Sequence, residues 1–227
     1  MPEFNGFPKE TIKFFNNLER NNSREWFFGH KDVYENFVKM PAFYFISEME
    51  PKLKSLSPGF FAVPRIDESL FRLNRDVRFS NDKRPYKTNL GIWFWEGYRK
   101  RMECSGFYFQ IETGKLMLAA GAYMFTKETI KLYRDALVDK KLGPAFKMAA
   151  EAVIKKGYNI GGEFYKKVPA GYDKNHKNVP YLLYNGLYAF TEVKIPQEFF
   201  SSKLADFAFN HYKNMYPLHK WLVDAIG

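Results

Sequence analysis

The tripeptide Ser57-Pro58-Gly59 divides a 227-residue chain into stretches of different hydrophobic period, and that change of period most constrains the fold. Before it the spacing is helical. Pro8 suits the first position of a helix running to about Asn21, with Thr11, Phe14, Phe15 and Leu18 on one face and Phe7 placed as a hydrophobic staple. Asn22-Ser23-Arg24-Glu25 is a second helix start, continued by Phe27, Tyr34, Phe37, Val38, Phe45, Met49, Leu53 and Leu56. Pro41 is expected to kink or split this helix, because its ring removes a hydrogen bond and collides with the preceding turn. Pro51 begins the final turn or breaks the helix again.

After the break, Phe60 to Asn74 reads as extended and Thr88 to Trp95 as a strand. Gly106 to Glu112 and Leu116 to Ala122 form a strand pair joined at Thr113-Gly114. Thr126 caps a helix carrying Ile130, Tyr133 and Leu137, although Thr129 stands where a capping box wants Glu or Gln. A further helix follows Gly143-Pro144 and stops at Gly157. Gly161 to Val168 reads as a short strand, Pro169 to His176 as a turn-rich connection and Tyr188 to Ile195 as another strand. Ser201 or Ser202 opens a helix to about Asn214, and His219 to Ile226 forms a short terminal one.

Helices, then strands, then both together predict an α+β fold, a mainly antiparallel sheet packed with helices in a single compact domain over residues 1–227. Its parts are helical at about 8–57, sheet-rich at about 60–122 and mixed thereafter. With 46% hydrophobic and 19% aromatic residues the core should be rich in Phe and Tyr. The lone Cys104 excludes an internal disulfide and a cysteine-based zinc cluster, and reads as a small filler. The first residues carry neither a basic region nor an apolar core, and no apolar run is long enough to cross a bilayer. The expected location is the cytoplasm, with no membrane partner.

Chemistry concentrates in Phe71–Lys87. Six basic residues, Arg72, Arg75, Arg78, Lys83, Arg84 and Lys87, stand there against Asp76 and Asp82, with Phe71, Phe79 and Tyr86 between them. Arg65 to Arg101 holds ten basic and five acidic residues, half of the net charge of +10. Such a block points to an anionic partner, a phosphate-bearing small molecule or nucleic acid. Arg72, Arg75, Arg78, Lys83 and Lys87 are the candidate anion-binding residues, because a guanidinium fork fits phosphate or carboxylate and a lysine adds point charge. Asp76, Asp82, Tyr86 and His176 are supporting candidates, the two acids orienting the arginines and His176 lying in a loop placed to fold back over the block.

Two other readings use the same residues. Arg75 and Arg78 tied to Asp76, Asp82, Asp67 or Glu68 would make a scaffold network. Asp76 and Asp82 with Glu68 holding a divalent metal would suit phosphoryl transfer or nuclease chemistry, although their spacing matches no metal motif and no metal or other cofactor is assigned. Phe79, Tyr86, Trp93, Trp95 and Tyr98 could stack on bases or fill the core. Gly161-Gly162 lacks the Lys-Ser/Thr of a phosphate loop, no nucleophile elbow is present, and no histidine pair has metal spacing with a partner acid. No catalytic residue is therefore assigned.

The string Phe71-Arg72, Arg75-Asp76, Arg78-Phe79-Ser80, Asp82-Lys83 and Pro85-Tyr86-Lys87 resembles the signature of a bacterial family called domain of unknown function 2461. Asn21-Asn22 with Trp26-Phe27, and Pro169 through His176, agree with it. Leu73, Val77 and Arg84 are mild departures. The resemblance implies one whole-chain α+β domain and supplies no reaction, cofactor or substrate, so function has to be argued from the site.

Overall fold

The computed structural model describes residues 3–227. Pro8 precedes α1 (Lys9–Arg20), whose face of Thr11, Phe14, Phe15 and Leu18 is buried as its spacing predicts. Ser23 accepts a hydrogen bond from the Trp26 N–H and starts α2 (Arg24–Gly29), and α3 (Lys31–Tyr34) follows. The break expected at Pro41 takes the form of a π-helical turn, Glu35–Lys39, closed by the Met40 N–H on the Glu35 carbonyl, before α4 (Met40–Lys54). Proline has no N–H for the carbonyl four residues back. The Thr11 hydroxyl donates to that Phe37 carbonyl instead.

Residues 60–74, expected to be extended, are not so throughout. Only β1 (Phe60–Phe61) is a strand, and isolated bridges join Ile66 to Leu70, Leu70 to Ile92 and Asn74 to Tyr86. Asp67, at a left-handed φ of 63°, turns the chain and prevents a continuous ladder. Then come β2 (Leu90–Glu96), β3 (Ser105–Glu112), β4 (Lys115–Ala122), α5 (Lys127–Val138), α6 (Leu142–Lys155), β5 (Asn159–Glu163), α7 (Val179–Leu182), β6 (Tyr184–Lys194) and α8 (Lys203–Ile226). The sheet order is β1-β2-β3-β4-β6-β5, and its antiparallel strands pack against helices. With 44% helix and 20% strand the fold is α+β, as expected.

Three local expectations change. Thr129 replaces the acid of a capping box through its hydroxyl, which accepts from the Thr126 N–H at 2.8 Å while the Thr126 hydroxyl accepts from the Thr129 N–H at 3.2 Å. β5 ends at Glu163 instead of Val168, and β6 begins at Tyr184, four residues before the expected Tyr188. The two C-terminal helices are one, α8, with Pro217 inside it. Its buried stripe runs past the proline through Tyr212, Met215, Leu218 and Leu222, which offsets the roughly 3 kcal/mol that an interior proline costs.

Packing divides the chain into two units. The first holds residues up to Phe94 with Tyr108–Met117 and Glu192–Asn210. Its core is aromatic, as composition predicts: Phe7 stacks on Phe199 at 5.2 Å and Phe45 lies tilted against Phe109 at 4.6 Å. The second holds Trp95–Phe107, Leu118–Thr191 and His211–Gly227. There Phe107 stacks on Tyr212 at 4.5 Å, Phe125 on Tyr133 at 4.5 Å, and the Trp221 indole donates to the Leu142 carbonyl. Also in this unit, an added Cβ at Gly121 would lie 2.2 Å from the Leu187 carbonyl oxygen, and one at Gly186 would lie 2.1 Å from that of Tyr123. Among the described residues no helix is long and apolar enough to cross a membrane.

Candidate anion-binding loop

The basic block folds as a loop fastened at its neck. The Arg75 N–H donates to the Pro85 carbonyl at 2.9 Å and the Lys87 N–H to the Leu73 carbonyl at 2.8 Å. Between these bonds Tyr86 is buried, its ring 4.4 Å from that of Phe27. The Asn22 carboxamide accepts from the Tyr86 N–H and donates to the Tyr86 carbonyl, at 3.1 and 3.0 Å. Asn22 and Phe27 thus hold the base of the loop, and Tyr86 is an anchor facing away from solvent.

Above the neck the charges pair internally. Asp82 accepts from Arg75 Nη1 at 2.5 Å and from Arg84 Nη2 at 2.7 Å, while Asp76 accepts the Arg78 fork at 3.0 and 2.7 Å. Hydrogen bonds from the Arg78 side chain and backbone hold the Asp76 carboxyl down to about 2. Those from Arg84 and then Arg75 push Asp82 below the usual carboxylate range. Lys83 Nζ donates to the Val77 carbonyl at 3.0 Å. Four of the block's six cations therefore end on atoms of the loop itself.

Both acids have lowered folded values, so their contribution to loop closure is present above about pH 4 and lost as the pH falls toward 2. At neutral pH, Asp82→Asn leaves two guanidinium groups on an uncharged amide. We expect faster hydrogen exchange at the amides of Arg75 and Arg84 and new proteolysis within residues 76–84, with little change in melting temperature. Exchange rates equal to wild type would mean that these pairs do not order the loop.

The side chains of the other two cations, Arg72 and Lys87, make no hydrogen bond or salt bridge with a described residue. Lys87 is partly buried, its Nζ 5.5 Å over the Phe71 ring. Burial first, and the positive charge of Arg72 second, push its pKa down against the weaker opposing pull of Asp67. The Phe71 N–H donates to the Gly91 carbonyl, and the Phe71 and Tyr108 rings meet edge to face at 6.2 Å. A Cβ at Gly91 would lie 2.8 Å from the Tyr108 hydroxyl and 3.1 Å from Phe71, so glycine allows both rings to lie against the strand. Lys87, with the Arg72 charge acting on it and no ion-paired carboxylate among the described residues, thus borders an aromatic floor.

The remaining candidates fall elsewhere. His176 belongs to the second unit, where its Nδ1 accepts from the Asn178 N–H at 3.2 Å. Trp93 and Trp95 are buried, whereas Phe79 and Tyr98 are almost fully exposed. Among the described residues no group of three or more His, Cys, Asp or Glu is placed to hold a metal ion. A cleft of about 510 Å³ in the first unit, lined by Lys9, Lys13, Lys194, Ile12, Ile195 and Phe200, contains none of the predicted residues.

One constellation escaped sequence reasoning. The His219 imidazole lies between Ser105 Oγ, 2.9 Å from Nδ1, and Glu96 Oε2, 2.7 Å from Nε2. Desolvation lowers the histidine's pKa and outweighs the pull of the carboxylate, so the ring is neutral, donating from Nε2 to Glu96 and accepting the serine hydroxyl at Nδ1. Ser, His and Glu are the groups of a hydrolytic triad, but the serine and histidine are 2% and 0% exposed and cannot meet a substrate. The chain of bonds ties α8 to β2 and β3. No local spacing announces it, since the partners lie more than a hundred residues apart in sequence.

The family model described as "Conserved hypothetical protein (DUF2461)" matches residues 10–221. No curated protein matches the chain.

Proposed function

The chain belongs to the DUF2461 family of conserved hypothetical proteins, and from its central loop we propose that it binds a phosphate-bearing or other anionic ligand on Arg72 and Lys87. The observation that carries this reading is a pair of neighbouring cations, one of them partly buried, neither hydrogen-bonded nor ion-paired with a carboxylate among the described residues. Two like charges held this way raise the free energy of the ligand-free protein, and an anion relieves it. Arg75, Arg78 and Lys83, with Asp76 and Asp82, hold the loop in shape and add field. A cytoplasmic location belongs to the same proposal, supported by the single cysteine.

Lys87→Met keeps the aliphatic stem over Phe71 and removes the charge. Titration with inorganic pyrophosphate, followed by calorimetry and thermal shift, should show binding by wild type and at least a ten-fold loss in Lys87→Met. The variant's own melting temperature should be unchanged or higher, because a desolvated cation beside Arg72 is gone. Wild-type affinity should fall as pH rises, beginning below the ordinary lysine value, since the folded Lys87 loses its proton early. Equal pyrophosphate affinity in wild type and a folded Lys87→Met protein rejects the site. A lowered melting temperature with no binding in either assigns the lysine to the scaffold.

A further inference from the structure

We infer that the cleft of about 510 Å³ in the first unit binds an amphiphilic anion of the fatty-acid class, at a site separate from the central loop. Lys9, Ile12 and Lys13 reach it from the first turns of α1, Lys194 and Ile195 from the end of β6, and Phe200 from the 3₁₀ turn Gln197–Phe200. Backbone contacts hold these walls. The Ile195 N–H donates at 3.4 Å to the carbonyl of Gly114, on the β3–β4 turn, and the Phe7 N–H donates at 2.9 Å to the Phe199 carbonyl. A Cβ at Gly6 would lie 2.2 Å from the Ser201 backbone nitrogen, so glycine lets the segment entering α1 lie against the end of the turn that bears Phe200. The volume is that of a small-molecule site, for which about 300–1,000 Å³ is usual.

The lining identifies the occupant. Lys9, Lys13 and Lys194 are exposed, and none makes a side-chain hydrogen bond or ion pair with a described residue. Lys9 and Lys13, four residues apart in α1, are like charges on neighbouring turns. Among the described residues no carboxylate lines the cleft. The single acids of β3 and β6, Glu112 and Glu192, both pair with Lys115, at 3.6 and 3.4 Å. Ile12, Ile195 and Phe200 supply apolar surface, which the lysine stems extend while their ammonium groups stay in water. Apart from the lysines, no lining side chain can donate or accept a hydrogen bond, so none reads the hydroxyls of a sugar or the edge of a base. Positive charge above apolar contact fits a chain of methylenes that ends in an anion. The concave shape favours one such molecule over the flat surface of a bilayer.

The test is calorimetric titration of the full chain with sodium decanoate at low salt. Wild type should bind decanoate, and octanoate about ten-fold more weakly, since each buried methylene is worth up to about four-fold. Decyltrimethylammonium, with the same tail and the opposite charge, should not bind. The double variant Lys13→Met/Lys194→Met keeps both stems and removes two charges; with an unchanged melting temperature it should bind decanoate at least about ten-fold more weakly. Phe200→Ser, at a side chain already 42% exposed, should weaken decanoate several-fold in a folded protein, and Lys87→Met should leave it unchanged. No binding of decanoate by wild type overturns the inference, as does wild-type affinity in the folded double variant or equal affinity for the cationic amphiphile. Decanoate binding lost in Lys87→Met assigns the anion to the central loop and rejects the cleft. Sedimentation with phosphatidylglycerol vesicles that the double variant abolishes, without decanoate binding, would assign these lysines to a membrane surface and also rejects it.

Discussion

Alanine at His219 is expected to destabilise the protein by about 3–5 kcal/mol. Three losses combine. The substitution opens a cavity in a fully buried site, removes the Nε2 donor from the Glu96 carboxylate and removes the Nδ1 acceptor from the Ser105 hydroxyl. In a chain of this size each kcal/mol lowers the melting temperature by about 2–4 °C, so a fall of roughly 10 °C should be visible. A pH signature separates the hydrogen-bonded chain from simple loss of volume. Because the folded histidine has a lowered pKa, the unfolded chain takes up a proton below about pH 6.5 that the folded chain refuses. Wild-type stability in urea therefore declines as pH drops from 7.5 to 5.5, and the variant should lack that part of the decline. A loss below 1 kcal/mol with an unchanged pH profile would show that the contacts seen around the ring are energetically idle.

Gly121→Ala should cost at least about 3 kcal/mol through backbone geometry alone. Gly121 has φ 139°, a region that L side chains rarely adopt. Its new Cβ would also meet a carbonyl oxygen at 2.2 Å, an obstacle on the main chain that no side-chain rotation can remove. Gly114, on the β3–β4 turn, provides the control: its φ is 78° but no atom lies within 4 Å of an added Cβ. Gly114→Ala should incur only the conformational strain, about 1–2 kcal/mol. Unfolding in guanidinium chloride compares the two directly, and equal losses would remove close approach as the reason for glycine at 121.

The helices and the central hairpin were legible because their signals are local: a proline start and a 3.6-residue stripe at α1, Thr113-Gly114 between β3 and β4. Errors arose where distant partners decide. Residues 60–74 read as extended, yet Asp67 turns the chain and beyond β1 only single bridges form. α8 continues through Pro217 because burial outweighs a propensity that sequence reasoning registers in isolation. The basic block was visible as composition, but which of its cations are already paired was not. Asp82 takes both Arg75 and Arg84, a division set by loop closure, and of the pair left over, Arg72 and Lys87, the lysine borders an aromatic floor that includes Tyr108 from a strand more than twenty residues on. The Glu96–His219–Ser105 chain left no trace in spacing at all.

The Asn22 carboxamide carries both polar atoms of the Tyr86 peptide, and Lys87 is the next residue. In optical terms this coupling equips the protein with an internal reporter. Trp26, one turn into the helix that follows Asn22, lies face to face with His30 at 4.0 Å and beside Phe14 at 5.7 Å, an arrangement in which indole emission depends on small displacements of its neighbours. The Phe27 ring, 4.4 Å from that of Tyr86 and 6.4 Å from that of Phe14, links the loop neck to that ring pair. The wild-type emission spectrum less that of Trp26→Phe isolates the signal, in which the anion binding proposed for the central loop should register without an attached label.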